Sequence, residues 1–140
     1  MSQDPLFAMA KAAMERSYSP YSKFPVGCAI RTTSGATFCG CNVENASYPE
    51  GTCAEAGAIA AMVMGGEATI QDIFVIGQAD GLVTPCGGCR QRIREFSTPD
   101  TRVHVCGPEG VRGVMSFDEL LPHSFGPEHL ADSKDGQETP

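Results

Sequence analysis

Three thiols and one carboxylate are the residues through which this chain could do chemistry. Cys53 is followed two positions later by Glu55 in Thr52-Cys53-Ala54-Glu55, and further along Pro85-Cys86-Gly87-Gly88-Cys89 holds two more cysteines three apart. Thiolates are preferred zinc ligands, and a set of three leaves the fourth tetrahedral position open, which separates a catalytic zinc from a structural one. Zinc lowers the pKa of a bound water toward about 7, and a carboxylate beside it can take the proton. The pattern points to one zinc ion per chain, held by Cys53, Cys86 and Cys89, with Glu55 as proton acceptor.

Both cysteine groups open stretches that read as helices. Residues 53–64 are rich in alanine and stop at Gly65-Gly66, a C-terminal glycine signal. Residues 86–96 are also helical in pattern, with Cys86 and Cys89 at i and i+3, on one side of the first turn and near the positive end of the dipole. That position favours thiolates, and two helix starts can then converge on one ion. Residues two apart on an ideal helix face away from each other, so Cys53 must stand at the cap for both Cys53 and Glu55 to reach the metal. The small residues of the first helix let backbones approach closely. Gly57 weakens it by up to about 1 kcal/mol relative to alanine, which marks a close contact there.

The rest of the chain supplies the frame. Asp4-Pro5 reads as an N-cap with proline in the first turn, and Leu6, Met9, Ala10, Ala13 and Met14 recur at helical spacing to about residue 17. Residues 18–25 form a loop that can present aromatic faces. Residues 26–32 and 36–43 flank Ser34-Gly35 as a hairpin. Asn42 and Glu44 then share one face of the extended segment leaving it, and an amide beside a carboxylate can hydrogen-bond a vicinal pair of hydroxyls. Residues 70–79 contain Ile73-Phe74-Val75-Ile76, an apolar run suited to a strand covered on both faces. With residues 86–96 and the strand at 103–105 it predicts a right-handed parallel crossover. Residues 108–110 turn into a last strand at 111–115, and Ser116 with Glu119 forms a capping box for a helix to about residue 121. The expectation is a single α/β domain over residues 1–130, three-layer α/β/α with a mixed central sheet, followed by a disordered tail at 131–140.

Composition narrows the function classes. The net charge is −7, and the ten Lys and Arg are scattered, so no basic stripe exists for a polynucleotide. A small, weakly charged ligand suits the chain better. Seven cysteines, odd in number and unevenly clustered, fit a reducing compartment and metal ligation rather than a disulfide framework. No run of eighteen apolar residues and no basic-then-apolar leader stands out, so a cytoplasmic protein without a membrane span is expected.

Cys53-Ala54-Glu55 together with Pro85-Cys86-Gly87-Gly88-Cys89 resembles the cytidine deaminase family, specifically its small single-domain class. Tyr21-Ser22-Lys23-Phe24-Pro25-Val26-Gly27 and Gly40-Cys41-Asn42-Val43-Glu44-Asn45-Ala46-Ser47-Tyr48 are similar to that class's substrate-binding segments, so the resemblance covers nearly the whole chain. It implies zinc-dependent hydrolytic deamination of cytidine and 2′-deoxycytidine in pyrimidine salvage, with zinc on Cys53, Cys86 and Cys89 and Glu55 moving protons. It assigns Asn42 and Glu44 to the ribose hydroxyls, Phe24 to stacking on the base, and the backbone near Ala54 and Thr84 to the pyrimidine edge. A carboxylate at the sugar disfavours a phosphate, which implies a free nucleoside. A related amino-pyrimidine nucleoside, modified or antibiotic, is the alternative substrate. The class is homotetrameric, with the stretch Ala46 to Tyr48 and the C-terminal aromatic Phe125 reaching a neighbour's site.

One departure matters. The family pattern continues Cys-Ala-Glu with arginine, and this chain has Ala56-Gly57. Three thiolates and a zinc ion sum to −1, so charge compensation falls to helix dipoles and to Arg90. A rival from another class is a closed, non-catalytic zinc module on Cys39, Cys41, Cys86 and Cys89. A redox role for Cys86-Gly87-Gly88-Cys89 lacks the strand-then-motif element near the chain start and leaves Cys53 and Glu55 unexplained. His104, His123 and His129 are not spaced to complete a metal site. Cys28, Cys39, Cys41 and Cys106 read as small hydrophobes on or beside strands.

Overall fold

A computed structural model describes residues 4–130, and within them five strands form one mixed sheet in the order β2-β1-β3-β4-β5. The chain runs α1 (Pro5–Glu15), β1 (Val26–Thr32), β2 (Thr37–Cys41), a 3-10 turn (Tyr48–Glu50), α2 (Ala54–Met64), β3 (Ile70–Gly77), α3 (Gly87–Glu95), β4 (Arg102–Gly107), β5 (Gly110–Ser116) and α4 (Phe117–Leu120). β3 and β4 pair in parallel across α3, and every other pairing is antiparallel. The strand-helix-strand unit with parallel strands expected from the sequence is therefore present. The tail expected at 131–140 lies outside the described residues.

Local chemistry sets the boundaries. The Asp4 carboxylate accepts from the Leu6 amide at 2.9 Å, and Pro5 stands where no intrahelical N–H is needed, so α1 starts there. The capping box of Ser116 and Glu119 is formed in both directions at the start of α4. β2 ends at Cys41, two residues before the sequence pattern suggests. Asn42 still donates its amide to the Val26 carbonyl at 3.2 Å, and the chain leaves β1 after it because Val43 bridges Tyr18 on one side and Thr52 on the other.

Alternation along the strands divides the core in two. Ile73 and Val75 of β3, Cys28 and Ile30 of β1 and Val103 and Val105 of β4 face a cluster with Ala58, Ile59 and Met62 of α2 and Ile93 of α3. Ala29, Phe74, Ile76 and Cys106 point the other way, onto Leu6, Ala10 and Met14 of α1. Helices thus cover both faces, giving the α/β/α layering. His104 shares the α1 face, stacked on Phe74 with ring centroids 4.0 Å apart and its Nε2 2.9 Å from Asp72 Oδ1.

Close backbone approach places the site helix, but the glycine responsible is not the one expected. A Cβ at Gly57 would meet only ordinary contacts, the nearest 3.7 Å from the Cys41 carbonyl. At Gly40, opposite it on β2, a Cβ would run into the Ala58 amide and lie 2.7 Å from the Ala54 carbonyl. The strand rather than the helix carries the indispensable glycine, and Gly27 plays the same part on the other face, where a Cβ would lie 2.5 Å from the Met14 amide.

Candidate active site

Cys53 and Cys86 are the N-caps of α2 and α3, each with extended backbone and neither using its side chain to cap its helix. The geometric condition on Cys53 is met: at φ −81° and ψ 159° it lies outside the helix, while Glu55 is in the first turn. A miniature ladder holds this start in place. Val43 and Thr52 exchange both backbone hydrogen bonds, at 3.0 and 2.9 Å, which ties the residue before Cys53 to the segment between Asn42 and Glu44.

The sulfurs of Cys53, Cys86 and Cys89 lie within 4.8 Å of one another, and all three thiols are free. Three convergent sulfurs at two helix N-termini, unengaged by capping bonds or disulfides, fit a zinc ion. Cys89 is buried, Cys53 half-buried and Cys86 exposed, so the cluster opens to one side. The Cys89 backbone N–H holds the Cys86 thiol below its ordinary value, whereas burial pushes the Cys53 and Cys89 thiols up. Glu55 is only 4% exposed. Burial raises its carboxyl pKa, opposed by its own backbone N–H, a hydrogen bond with Cys89 and the charge of Arg92.

A cavity of about 360 Å³ reaches this cluster. Cys53, Cys86 and Glu55 line it together with Phe24, Asn42 and Glu44. Ala54, Thr84 and Tyr48 also border it, while Ala46 and Phe125 do not. Phe125 is instead exposed and stacks on His129, with ring centroids 5.2 Å apart. Its carbonyl accepts from Gln91.

The two polar residues read as a hydroxyl-binding pair are held differently. Asn42 Oδ1 accepts from the Val26 amide at 2.9 Å and from the Ser17 hydroxyl, and its Nδ2 donates to the Phe24 carbonyl at 2.9 Å. Its amide is largely spent on the backbone around Phe24. Glu44 accepts from the Tyr21 and Ser22 amides at 3.0 and 3.1 Å and from the Ser22 hydroxyl. These bonds, the Ser22 hydroxyl foremost, keep its carboxyl below the ordinary range.

Arg90, expected to compensate the sulfur charge, directs its hydrogen bonds elsewhere. Its Nε donates to the Pro85 carbonyl at 2.8 Å, and its two terminal nitrogens donate to the Leu120 carbonyl at 2.6 Å and to Thr84 Oγ1 at 2.7 Å. The guanidinium is a brace for the loop that carries Thr84. The closed four-sulfur module is not formed either, since among the described residues neither Cys39 nor Cys41 joins the cluster. Ser22 and Thr52 also border the cavity; both lie in stretches quoted from the sequence, but neither was singled out there. Val83 borders it too and had no sequence signal, because it sits in an aperiodic loop.

Comparison with known proteins agrees with this geometry. A family model described as "Cytidine and deoxycytidylate deaminase zinc-binding region" matches residues 1–105. A cytidine deaminase of Sporosarcina psychrophila is 37% identical over 131 residues, covering 94% of this chain and 96% of that protein. One from Mycoplasma pneumoniae is 46% identical over 114 residues, covering 80% of this chain and 85% of that protein. Among solved structures, cytidine deaminase from Burkholderia pseudomallei superposes with a TM-score of 0.82 at 41% identity, covering 89% of this chain and all of that one.

Proposed function

We propose that this chain, which belongs to the zinc-binding cytidine and deoxycytidylate deaminase family, hydrolyses cytidine and 2′-deoxycytidine to uridine and 2′-deoxyuridine with release of ammonia. The observation that carries the reading is the buried carboxyl of Glu55 beside three convergent thiols in a cavity that Phe24, Asn42 and Glu44 also border. Cys53, Cys86 and Cys89 would hold the zinc, which when bound supplies a Lewis acid that makes water nucleophilic at neutral pH.

The chain's own residues do the rest. Phe24 offers a ring face to the base, and Glu44, as a carboxylate, accepts hydrogen bonds from ribose hydroxyls. Asn42 fixes the Phe24 to Val26 backbone and has one Nδ2 hydrogen left for the sugar. Backbone groups near Ala54 and Thr84 border the pyrimidine edge. Glu55 accepts a proton from the attacking water and delivers it to ring nitrogen N3. It then takes the second proton from the former water oxygen and passes it to the exocyclic amine as the bond from C4 to nitrogen breaks. The water oxygen ends as the C4 carbonyl and ammonia leaves. Burial of Glu55 favours this traffic because it lifts the carboxyl toward the working pH.

The same reading includes a cytoplasmic homotetramer acting in pyrimidine salvage. Free, unpaired cysteines suit a reducing compartment, and no helix among the described residues is long and apolar enough to cross a membrane. Tyr21, Val43 and Tyr48 are exposed near the cavity, and Phe125 is exposed too; these are surfaces a neighbouring subunit would cover, with Ala46 on the same loop. The test is direct: purified protein with one zinc per chain should consume cytidine and 2′-deoxycytidine, releasing one ammonia per nucleoside. Zinc-loaded protein that turns over neither would overturn the reading.

A further inference from the structure

We propose that Arg92 supplies the positive charge that offsets the three-sulfur centre of this chain, in place of the arginine that the family pattern puts directly after Cys-Ala-Glu. The inference rests on the zinc-binding reading above and adds to it the residue that balances the site's charge.

Three arginines project from α3 at alternate positions, and each is used differently. Arg90 braces the loop through Pro85, Leu120 and Thr84. Arg94 bonds Ser124 at 2.8 Å and Glu128 at 2.8 Å. Arg92 turns back along the helix to Cys89, its terminal nitrogen 3.7 Å from the sulfur, and among the described residues this is the one hydrogen bond its guanidinium makes.

A long side chain on a helix leans back over the preceding turn, so Arg92 is carried toward the N-terminal end of α3 and the cysteines there. As zinc ligands, Cys86 and Cys89 would be thiolates and concentrate negative charge beside the guanidinium. The guanidinium also acts on Glu55, where its charge opposes the effect of burial. Ala56, one residue beyond Glu55, has no charge to offer, so removing Arg92 would take away the cation that hydrogen-bonds a sulfur of the cluster.

Arg92 is exposed, so the expected effect is that of a solvent-screened pair. The measurement is the rate at which zinc passes from the protein to an excess of a chromogenic chelator at low ionic strength, with folding checked by circular dichroism. Zinc loss from Arg92→Met should be about three- to fivefold faster than from wild type, Arg92→Lys should stay close to wild type, and Arg92→Glu should be faster than Arg92→Met. Added salt should speed release from wild type and leave Arg92→Met nearly unchanged, a response that a packing role would not give. Introducing Ala56→Arg into the Arg92→Met protein should restore retention. Equal rates for wild type and Arg92→Met, or for wild type and Arg92→Glu should the methionine variant not fold, would overturn the proposal. Wild-type protein that holds no zinc at all would instead overturn the zinc-binding reading on which it rests.

Discussion

The side-chain amide of Asn42 donates to the Phe24 carbonyl at 2.9 Å while its oxygen accepts from the Val26 amide at the same distance. One side chain at the end of the β1–β2 hairpin therefore fixes the backbone on both sides of Pro25 and with it the aromatic wall of the cavity. Asn42→Ala leaves a buried-side donor and acceptor without partners, which costs about 1–3 kcal/mol. The expected outcome is a lower urea midpoint together with a raised KM for cytidine. Unchanged stability with only KM raised would mean that Asn42 acts on the sugar alone.

Glu44 owes its low pKa first to the Ser22 hydroxyl, then to the Ser22 and Tyr21 amides. Its folded value lies below the ordinary 4.5, so the charged form persists as pH falls and is lost only beneath that value. KM for cytidine is accordingly expected to stay flat from neutral pH down to about 5. Ser22→Ala removes the largest cause and should move the acid rise in KM toward neutral pH. Coincident acid limbs for the two proteins would contradict this.

Gly40 sets the distance between β2 and α2. A methyl group there would press on the Ala54 carbonyl and the Ala58 amide, backbone atoms that cannot turn aside. Gly40→Ala should cost about 2–3 kcal/mol and, by shifting the helix that starts at Cys53, should lower zinc occupancy. Gly57→Ala meets nothing closer than 3.7 Å and gains helix propensity. It should leave zinc occupancy intact and melt no lower than wild type; the two melting curves decide.

The zinc ligands can be separated from the other thiols by metal analysis. Cys53→Ala, Cys86→Ala and Cys89→Ala should each lose most of the zinc. Cys39→Ser and Cys41→Ser should keep one zinc per chain, because their sulfurs stand apart from the cluster. Retention by Cys53→Ala would revive the closed four-sulfur module.

What could be read from the sequence follows from the range of the physics involved. Cys53, Glu55, Cys86 and Cys89 were legible because ligand spacing and helix starts are local. The layers were legible because strand alternation and the alanine-rich helix are local as well. The partners of arginine side chains were not: Arg90 and Arg92 both lie near the thiols in sequence, and only the three-dimensional loop shows Arg90 spent on Pro85, Leu120 and Thr84 while Arg92 reaches Cys89. The close contact of α2 was anticipated, but composition pointed to Gly57 in the helix when the tight residue is Gly40 on the facing strand. Asn42, read as a partner for ribose hydroxyls, borders the cavity, and its backbone partners, eighteen residues or fewer away in Phe24 and Val26, depend on a loop path that no periodicity encodes.

The central claim is that Glu55 moves the protons of a hydrolytic deamination at the three-cysteine centre. The most direct measurement compares wild type with Glu55→Gln, each assayed for zinc and for the ultraviolet loss of cytidine with ammonia release. Wild type should turn over, and the glutamine variant should hold the same zinc while its kcat falls by at least about 10²-fold, the scale of a lost general acid and base. A fully zinc-loaded Glu55→Gln protein that deaminates cytidine at the wild-type rate would contradict the account.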